Sequence, residues 1–299
     1  GQLIEQLEAQ LPADFDNWDD VTYIEPFVGG GAMLFYMLQK HRNITNAVIN
    51  DINPKLTACY EIIRDFPHQL IASLKNIQEE YYQLPNEEMK KEFFMAKRKA
   101  FNGELDRLEM CTLFILNRTC FNGLYRENKK GEFNVPFGKY STPTICDEDT
   151  ILEDSEILQH VHILTGDYQE VFNRAGGQTL FYFDPPYRPL SNTSSFNDYT
   201  KQPFNDDAQI RLKEFCDQVN DAGFSFMLSN SDCLGKDGKD RFFDDLYANY
   251  HIERVWAKRN VNANASKRGK LTEILVRNYE HVENQGIFNA AFVAEDRQY

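Results

Sequence analysis

The sequence predicts an α/β fold in which a sheet of parallel strands is interrupted by a mostly helical insertion. Three observations predict it. Near the start, a strand, Val21–Glu25, runs through Gly29-Gly30-Gly31 into a helix, Ala32–Lys40, and on to a second strand at 47–50. From Pro54 to about Leu116 the chain has helical spacing, long polar faces and few strand signals. After about residue 160, strand and helix signals alternate again. Two alternating blocks around a helical one make residues 1–54 and 156–299 one domain, with 55–155 inserted into it.

The elements follow in order. Leu3, Ile4, Leu7 and Leu11 recur at helical spacing. Val21–Glu25 is a short buried strand, the glycines make a tight turn, and the strand at 47–50 ends at Asp51. Residues 117–140 are rich in Asn, Gly, Arg and aromatics, as a loop or hairpin is. Strands are predicted at 162–165, Thr179–Phe183 and 224–229, with a helix at 206–222 between the last two. The polar stretch 258–270 separates strands at 252–257 and 273–279.

Composition narrows the classes. Of 299 residues, 42% are apolar and 13% aromatic, which suffices for a sizeable core and argues against wholesale disorder. The longest nearly apolar run, 27–38, is too short to span a bilayer, and no signal peptide opens the chain. The first residue is not Met, so the expectation is that residues precede Gly1. The six cysteines form no C-x-x-C pair and no zinc-clip spacing, which predicts reduced thiols, a cytoplasmic location and no metal site.

The formal charge is −14, with 32 Lys and Arg against 46 Asp and Glu. An acidic total argues against a generic nucleic-acid coat. The charge is segregated, however. Residues 90–99 carry net +4, residues 116–140 net +3 and residues 254–270 net +6, leaving −27 on the remainder. Solvated surface is the ordinary reading of any one such run. Three of them beside chemically suggestive segments also fit contacts to a polyanion.

Glu25-Pro26-Phe27-Val28-Gly29-Gly30-Gly31 joins a strand to a helix, and Asp51 ends the next strand 20 residues after Gly31. Glycine lets a ligand approach main-chain N–H groups, and a carboxylate at that place accepts hydrogen bonds from ribose hydroxyls. The alternative is a bare turn and a helix-capping Asp. The turn is not G-x-G-x-x-G, which favours a mononucleoside over a dinucleotide.

The strand Thr179–Phe183 runs into Asp184-Pro185-Pro186-Tyr187. Two prolines fix φ and lack N–H donors, so the chain leaves the sheet in a rigid turn. The turn offers the Asp184 carboxylate and the Pro185 carbonyl as acceptors beside the flat face of Tyr187. That set suits an exocyclic amino group on a planar base.

With these segments the chain resembles the Dam-like DNA adenine-N6 methyltransferases, a D-P-P-Y amino-methyltransferase group that includes type II restriction-system relatives. The resemblance spreads over nearly the whole chain. It is most specific in Asn122-Gly123-Leu124-Tyr125-Arg126 followed by Gly131-Glu132-Phe133-Asn134-Val135-Pro136-Phe137-Gly138. It implies a Rossmann-like methyltransferase sheet carrying a helical DNA-recognition insertion with a β-hairpin at 117–140. It also implies S-adenosylmethionine as cofactor and double-stranded DNA as partner, and methyl transfer to N6 of a flipped-out adenine, with GATC as the type of target.

The roles it implies are specific. Glu25, Pro26, Phe27, Gly29 and Gly31 line the cofactor, Asp51 holds its ribose, and Asp167 occupies the place of a contact to its adenine. Asp184, Pro185, Pro186 and Tyr187 are catalytic, Asp184 also serving the cofactor site. Arg126 reads a guanine with help from Leu124 and Pro136, Phe121 and Asn122 fill the vacated position, and Arg118 and Lys129 add charge. Lys258, Arg259, Lys267 and Arg268 surround a loop that clamps phosphates. Residues 191–200, with Phe196 and Tyr199, are a polar loop suited to close over the base. Relatives usually open with a W-x-G-G-K-like segment touching the cofactor; this sequence starts at Gly1-Gln2-Leu3, just beyond it, and the expectation is that those residues precede Gly1, an incomplete cofactor site being the alternative. A monomer acting separately from any cognate restriction endonuclease, with no membrane contact, completes the expectation. Cytosine N4, RNA or a glutamine side chain as acceptor, and an inactive DNA-binding relative, are the alternatives. Glutamine-directed relatives generally carry Asn where this chain has Asp184.

Overall fold

A computed structural model describes residues 2–115, 119–121, 125–128, 130–188, 204–233, 240–257 and 271–281. Seven strands form one sheet in the order β3-β2-β1-β4-β5-β7-β6: β1 Val21–Glu25, β2 Ile44–Asp51, β3 Val161–Thr165, β4 Thr179–Phe183, β5 Ser225–Ser231, β6 His251–Ala257 and β7 Leu271–Arg277. Strands β1 to β5 run parallel, and β7 is inserted antiparallel between β5 and β6. The order reverses at β1, with β2 on one side and β4 on the other. In open α/β sheets, ligands bind in the crevice beyond the carboxyl ends of the strands at such a point.

The core divides along the sheet. Alternate residues point to opposite faces. Val21, Tyr23, Ala47, Ile49, Leu180 and Tyr182 share one cluster with α1 (Gln2–Glu8) and α2 (Ala32–Lys40). Ile24, Val48, Phe181, Phe183, Phe226 and Leu228 share the other, packed on Leu212, Phe215 and Val219 of α8 (Asp206–Asp221) and on Phe243 of α9 (Phe242–Leu246). Every residue of β1 and β4 is buried. Unbroken burial explains why these strands read as apolar runs rather than as polar–apolar alternation.

The helical block resolves into α3 (Pro54–Asp65), α4 (Pro67–Tyr82), α5 (Glu87–Phe101) and α6 (Arg107–Ile115), followed later by α7 (Glu148–Leu158). Local chemistry starts these helices. Asn53, Asn86, Asp147 and Asn205 cap α3, α5, α7 and α8 with side-chain oxygens, and Pro54 and Pro67 stand in the first turns of α3 and α4. A third cluster, from Cys59 to Ile151, gives this block its own core. Helix α3 belongs to both bodies: Tyr60 packs with the sheet while Cys59 and Ile62 pack with the insertion.

The described residues 119–121 and 125–128 pair back against 133–138. Cys120 pairs with Phe137 and Glu127 with Phe133, both antiparallel, and the turn at the tip closes with Gly131 N–H to the Asn128 carbonyl at 2.8 Å. On the underside Tyr125 stacks between Phe114 and Phe133, with ring centroids at 4.8 and 5.3 Å. Asn102 at the end of α5 grips the Phe133 backbone by both N–H and carbonyl.

Candidate active site

The register brings the sequence-predicted acceptors to one edge of the sheet. Ile24 pairs with Phe181 and Glu25 with Ile49, so the carboxyl ends of β1, β2 and β4 lie side by side. Glu25, Asp51 and Asp184 leave the sheet there.

The glycine turn is built for close approach. Gly29 and Gly31 have φ of +49° and +71°, in the left-handed region that favours glycine. A Cβ on Gly29 or Gly30 would meet no atom within 4 Å, so both glycines face open space. A Cβ on Gly31 would lie 2.5 Å from the Tyr60 hydroxyl, which donates to the Gly29 carbonyl at 2.8 Å. Asp51 closes the turn from below. Its Oδ2 accepts from Gly29 N–H at 3.2 Å and its Oδ1 from Asn53 N–H at 2.8 Å. Burial raises its pKa against these opposing N–H contacts. Asn50 ties the neighbouring loops together, its amide donating to the Pro26 and Gly166 carbonyls at 3.1 Å each. Ile52, 61% exposed, puts an apolar side chain beside Asp51. Sequence reading passed over Ile52, Asn50 and Tyr60; an apolar residue directly after the strand-ending acid was the available signal.

A nucleoside-bearing cofactor fits this cradle. It offers open space at the glycines, a carboxylate whose remaining lone pairs suit ribose hydroxyls, and an apolar face beside it. Phe27 lies within a ring cluster, 4.9 Å from Tyr168 and 5.9 Å from Phe204. Asp167 is differently committed. Both its oxygens are engaged by Arg211 of α8, at 2.8 and 2.9 Å, and Oδ1 also accepts from Gln169 N–H. Burial would raise this carboxyl, but the Arg211 and Gln169 contacts hold it below the usual value.

Glu25 is enclosed. Its carboxyl is buried and accepts the Tyr23 hydroxyl at 2.6 Å. Burial raises its pKa to about 8, Tyr23 opposing and the Asp184 charge adding to the rise. The native state therefore holds a proton from about pH 4.5, the unfolded value, to about 8. The stabilisation is complete below the unfolded pKa and is lost as pH rises through the folded one. Glu25→Gln is expected to flatten this loss: between pH 5.5 and 8 the wild-type Tm falls further than that of the variant. Parallel melting curves over this range would show that Glu25 does not titrate there.

The Asp184–Tyr187 turn is held from β5, β7 and α8. Phe183 pairs with Leu228, which sets Asp184 level with Ser229. Ser229 donates to Asp184 Oδ1 at 3.1 Å and also contacts the Tyr182 hydroxyl at 3.2 Å. Fully buried Gln209 donates to the Pro186 carbonyl at 3.1 Å and accepts from the Asn230 amide at 3.2 Å. Asn230 Oδ1 accepts from Arg188 N–H, and Ser231 Oγ donates to the Arg188 carbonyl at 2.7 Å. The Arg188 guanidinium bonds Asp206 through two nitrogens and Asp240 through the third. The sequence predicts a strand at 224–229, two residues short of its observed end. The strand continues to Ser231 because these polar side chains find partners around the turn. Asp184 remains open to the crevice. Crowding by protein and the Glu273 charge push its pKa up to about 6, against hydrogen bonds from Ser229 and Tyr187.

The residues expected to contact DNA fall into two groups. Phe121 is 52% exposed on the hairpin, and Arg126, also exposed, donates from Nε to Asn134 Oδ1 at 2.8 Å. Pro136 is exposed, and its carbonyl accepts Phe121 N–H. Arg118, Asn122, Leu124, Lys129, Lys258, Arg259, Lys267 and Arg268 lie outside the described residues, as do Phe196 and Tyr199. Parts of the three basic islands serve internal contacts. Lys90 and Arg98 donate to the Ser141 and Val135 carbonyls, Lys97 pairs with Glu80 and Lys139 with Glu87, and Arg254 pairs with Asp232 and Asp244. Local charge counts therefore overstate the cationic surface left for a polyanion.

A family model described as D12 class N6 adenine-specific DNA methyltransferase matches residues 1–261. The chain is 43% identical to a protein of Methanocaldococcus jannaschii named type II methyltransferase M.MjaIII, over 93% of this chain and 95% of that one. It is 35% identical to the Lactococcus lactis type II methyltransferase M1.LlaDCHI, over 93% and 92% of the two chains. Identity to a Vibrio cholerae protein named DNA adenine methylase is 30%, over 95% and 94%.

Proposed function

The chain belongs to the D12 class of N6 adenine-specific DNA methyltransferases, and on that premise we propose that it transfers a methyl group from S-adenosylmethionine to N6 of an adenine flipped out of duplex DNA. The observation that carries the reading is the adjacency, across β1 and β4, of the Gly29–Asp51 cradle and the Asp184–Tyr187 turn. One site holds a nucleoside-type donor and the other faces it with acceptors for an amine.

The donor supplies an electrophilic sulfonium methyl, whose bonding pair stays with sulfur when the methyl leaves. The residues of the chain do the rest. Asp51 accepts the ribose hydroxyls, Ile52 and Phe27 cover apolar faces, and Gly29 to Gly31 let the donor approach the backbone. N6 of adenine is a poor nucleophile because its lone pair is delocalised into the ring. Ionised Asp184 and the Pro185 carbonyl accept its two N–H groups, which favours a pyramidal nitrogen and localises the pair. Tyr187 stacks on the base and fixes its plane, and one N6 proton is released as the new C–N bond forms. Positioning and electrostatics provide the rate.

We assign target reading to segment 55–155. Phe121 is the exposed aromatic that fills the space of the flipped base, and Arg126 faces a guanine edge. GATC is the proposed type of target, and the protein acts as a monomer, with the type II relatives suggesting a cognate endonuclease that works separately. Among the described residues no helix is long and apolar enough to cross a membrane. Among the described residues nothing in the site favours cytosine N4, RNA, a glutamine side chain or an inactive binding role. The test is methylation-sensitive sequencing of DNA from cells expressing the protein, with mass analysis of the modified base. N6-methyladenine at one short motif is the expected result; another modified base, or none, overturns the reading.

A further inference from the structure

One buried acid beside the Asp184–Tyr187 turn, Glu273, has no part in the transfer step itself. Glu273 lies on β7, opposite Ser231 of β5 and Val255 of β6. It is 6% exposed, and its Oε2 accepts the Tyr187 hydroxyl at 3.1 Å. A carboxylate buried in a sheet is costly unless hydrogen bonds compensate it. The same Tyr187 hydroxyl also interacts with the Asp184 carboxylate. The Tyr187 phenol thus feels two acids, Asp184 just past β4 and Glu273 on β7, and both raise its pKa.

We propose that Glu273 is a positioning residue for methyl transfer: it holds the Tyr187 hydroxyl so that the ring presents a fixed face to the target base above Asp184. The proposal rests on the reading of Asp184–Tyr187 as the amine-binding turn. The geometry explains why an acid is placed there. The two prolines fix the backbone of the turn, yet they leave χ1 and χ2 of Tyr187 free. A stacking ring that swings lets the adenine amine leave the line of attack, and small misplacements at the reacting centre are expensive in rate. A charged acceptor on the neighbouring strand gives the hydroxyl one strong partner and so selects one ring orientation.

Glu273 has a second effect through its charge. Asp184 is faced by Glu25 and Tyr23 from β1, by Tyr182 from β4, by Tyr187 from its own turn and by Glu273 from β7. The negative charge of Glu273 favours the protonated form of Asp184. Removing it shifts the acid limb of activity to lower pH, because Asp184 then ionises more readily. A residue whose charge did not reach Asp184 would leave that limb in place.

The experiment measures single-turnover transfer of tritiated methyl from S-adenosylmethionine to duplex DNA, across pH 5 to 9, for the full chain. The variants are Glu273→Gln, Glu273→Ala, Tyr187→Phe and the double variants. Glu273→Ala is expected to lower the transfer rate roughly tenfold or more while KM for the donor stays within about twofold. Glu273→Gln, which keeps an acceptor oxygen, recovers most of the rate and moves the acid limb to lower pH. Tyr187→Phe combined with Glu273→Ala is no slower than the worse single variant, since both remove one interaction. Rates that multiply, or a Glu273→Ala enzyme as fast as wild type, overturn the proposal. If Glu273→Ala does not fold, the cycle of Glu273→Gln with Tyr187→Phe and the limb position decide it. A wild-type protein that fails to methylate adenine in DNA refutes instead the reading on which the proposal rests.

Discussion

Asp184→Ala is expected to cut methyl transfer to DNA by about a thousandfold or more while leaving the fold intact, the scale of losing a pre-placed polar group at a reacting centre. The fold should survive because Asp184 opens to the crevice, where truncation leaves no core void. Ser229, which donates to Asp184, keeps its contact with Tyr182 in the variant. Circular dichroism melting checks the fold, and tritium incorporation checks the chemistry. In the wild-type protein the same carboxylate gives an acid limb. With its pKa near 6, Asp184 loses acceptor strength as pH falls through that value, so transfer should decline below about pH 6 and be level above it. Near-normal turnover in the alanine variant, or a rate indifferent to pH from 5 to 7, would remove Asp184 from the site.

Gly31→Ala should cost stability and donor affinity together, whereas Gly30→Ala should cost little. At φ +71° an L-residue is disfavoured by about 1–2 kcal/mol. The new Cβ would also stand 2.5 Å from the Tyr60 hydroxyl, which must move and release the Gly29 carbonyl. Losing that hydrogen bond adds about 1 kcal/mol. For a chain of this size the sum corresponds to a drop in Tm of about 5 °C. Gly29 would lose one of the anchors that hold it over Asp51, so titration calorimetry with S-adenosylmethionine should show weaker binding. Gly30 has open space and needs no left-handed backbone. Equal behaviour of the two variants would show that the turn tolerates a side chain wherever it falls.

Much of this was legible in the sequence because it depended on local chemistry. Strands β1 and β4 announce themselves as apolar runs, and the helical spacing of α2 follows its glycine turn, signals that need only neighbouring residues. The glycine turn and the Asp-Pro-Pro-Tyr turn are likewise local: positive φ and fixed φ are properties of the residues themselves. The separation of Gly31 from Asp51 could be read because β2 pairs directly with β1.

Tertiary structure alone decided the rest. Nothing in the chain order says that β7 slips between β5 and β6, and that insertion is what carries Glu273 to Tyr187, 86 positions away in sequence. The sequence marks Gln209 only as part of a helix and Asn230 only as the residue after a strand; the fold aims both at the turn between them. The charge islands were legible as counts but not as surfaces, because a lysine has the same charge in solution and against a buried carbonyl. The sequence by itself determined the chemical parts, since each follows from residue type and spacing. Which acid meets which hydroxyl, and with what pKa, came from strand order and burial, which no local window of sequence contains.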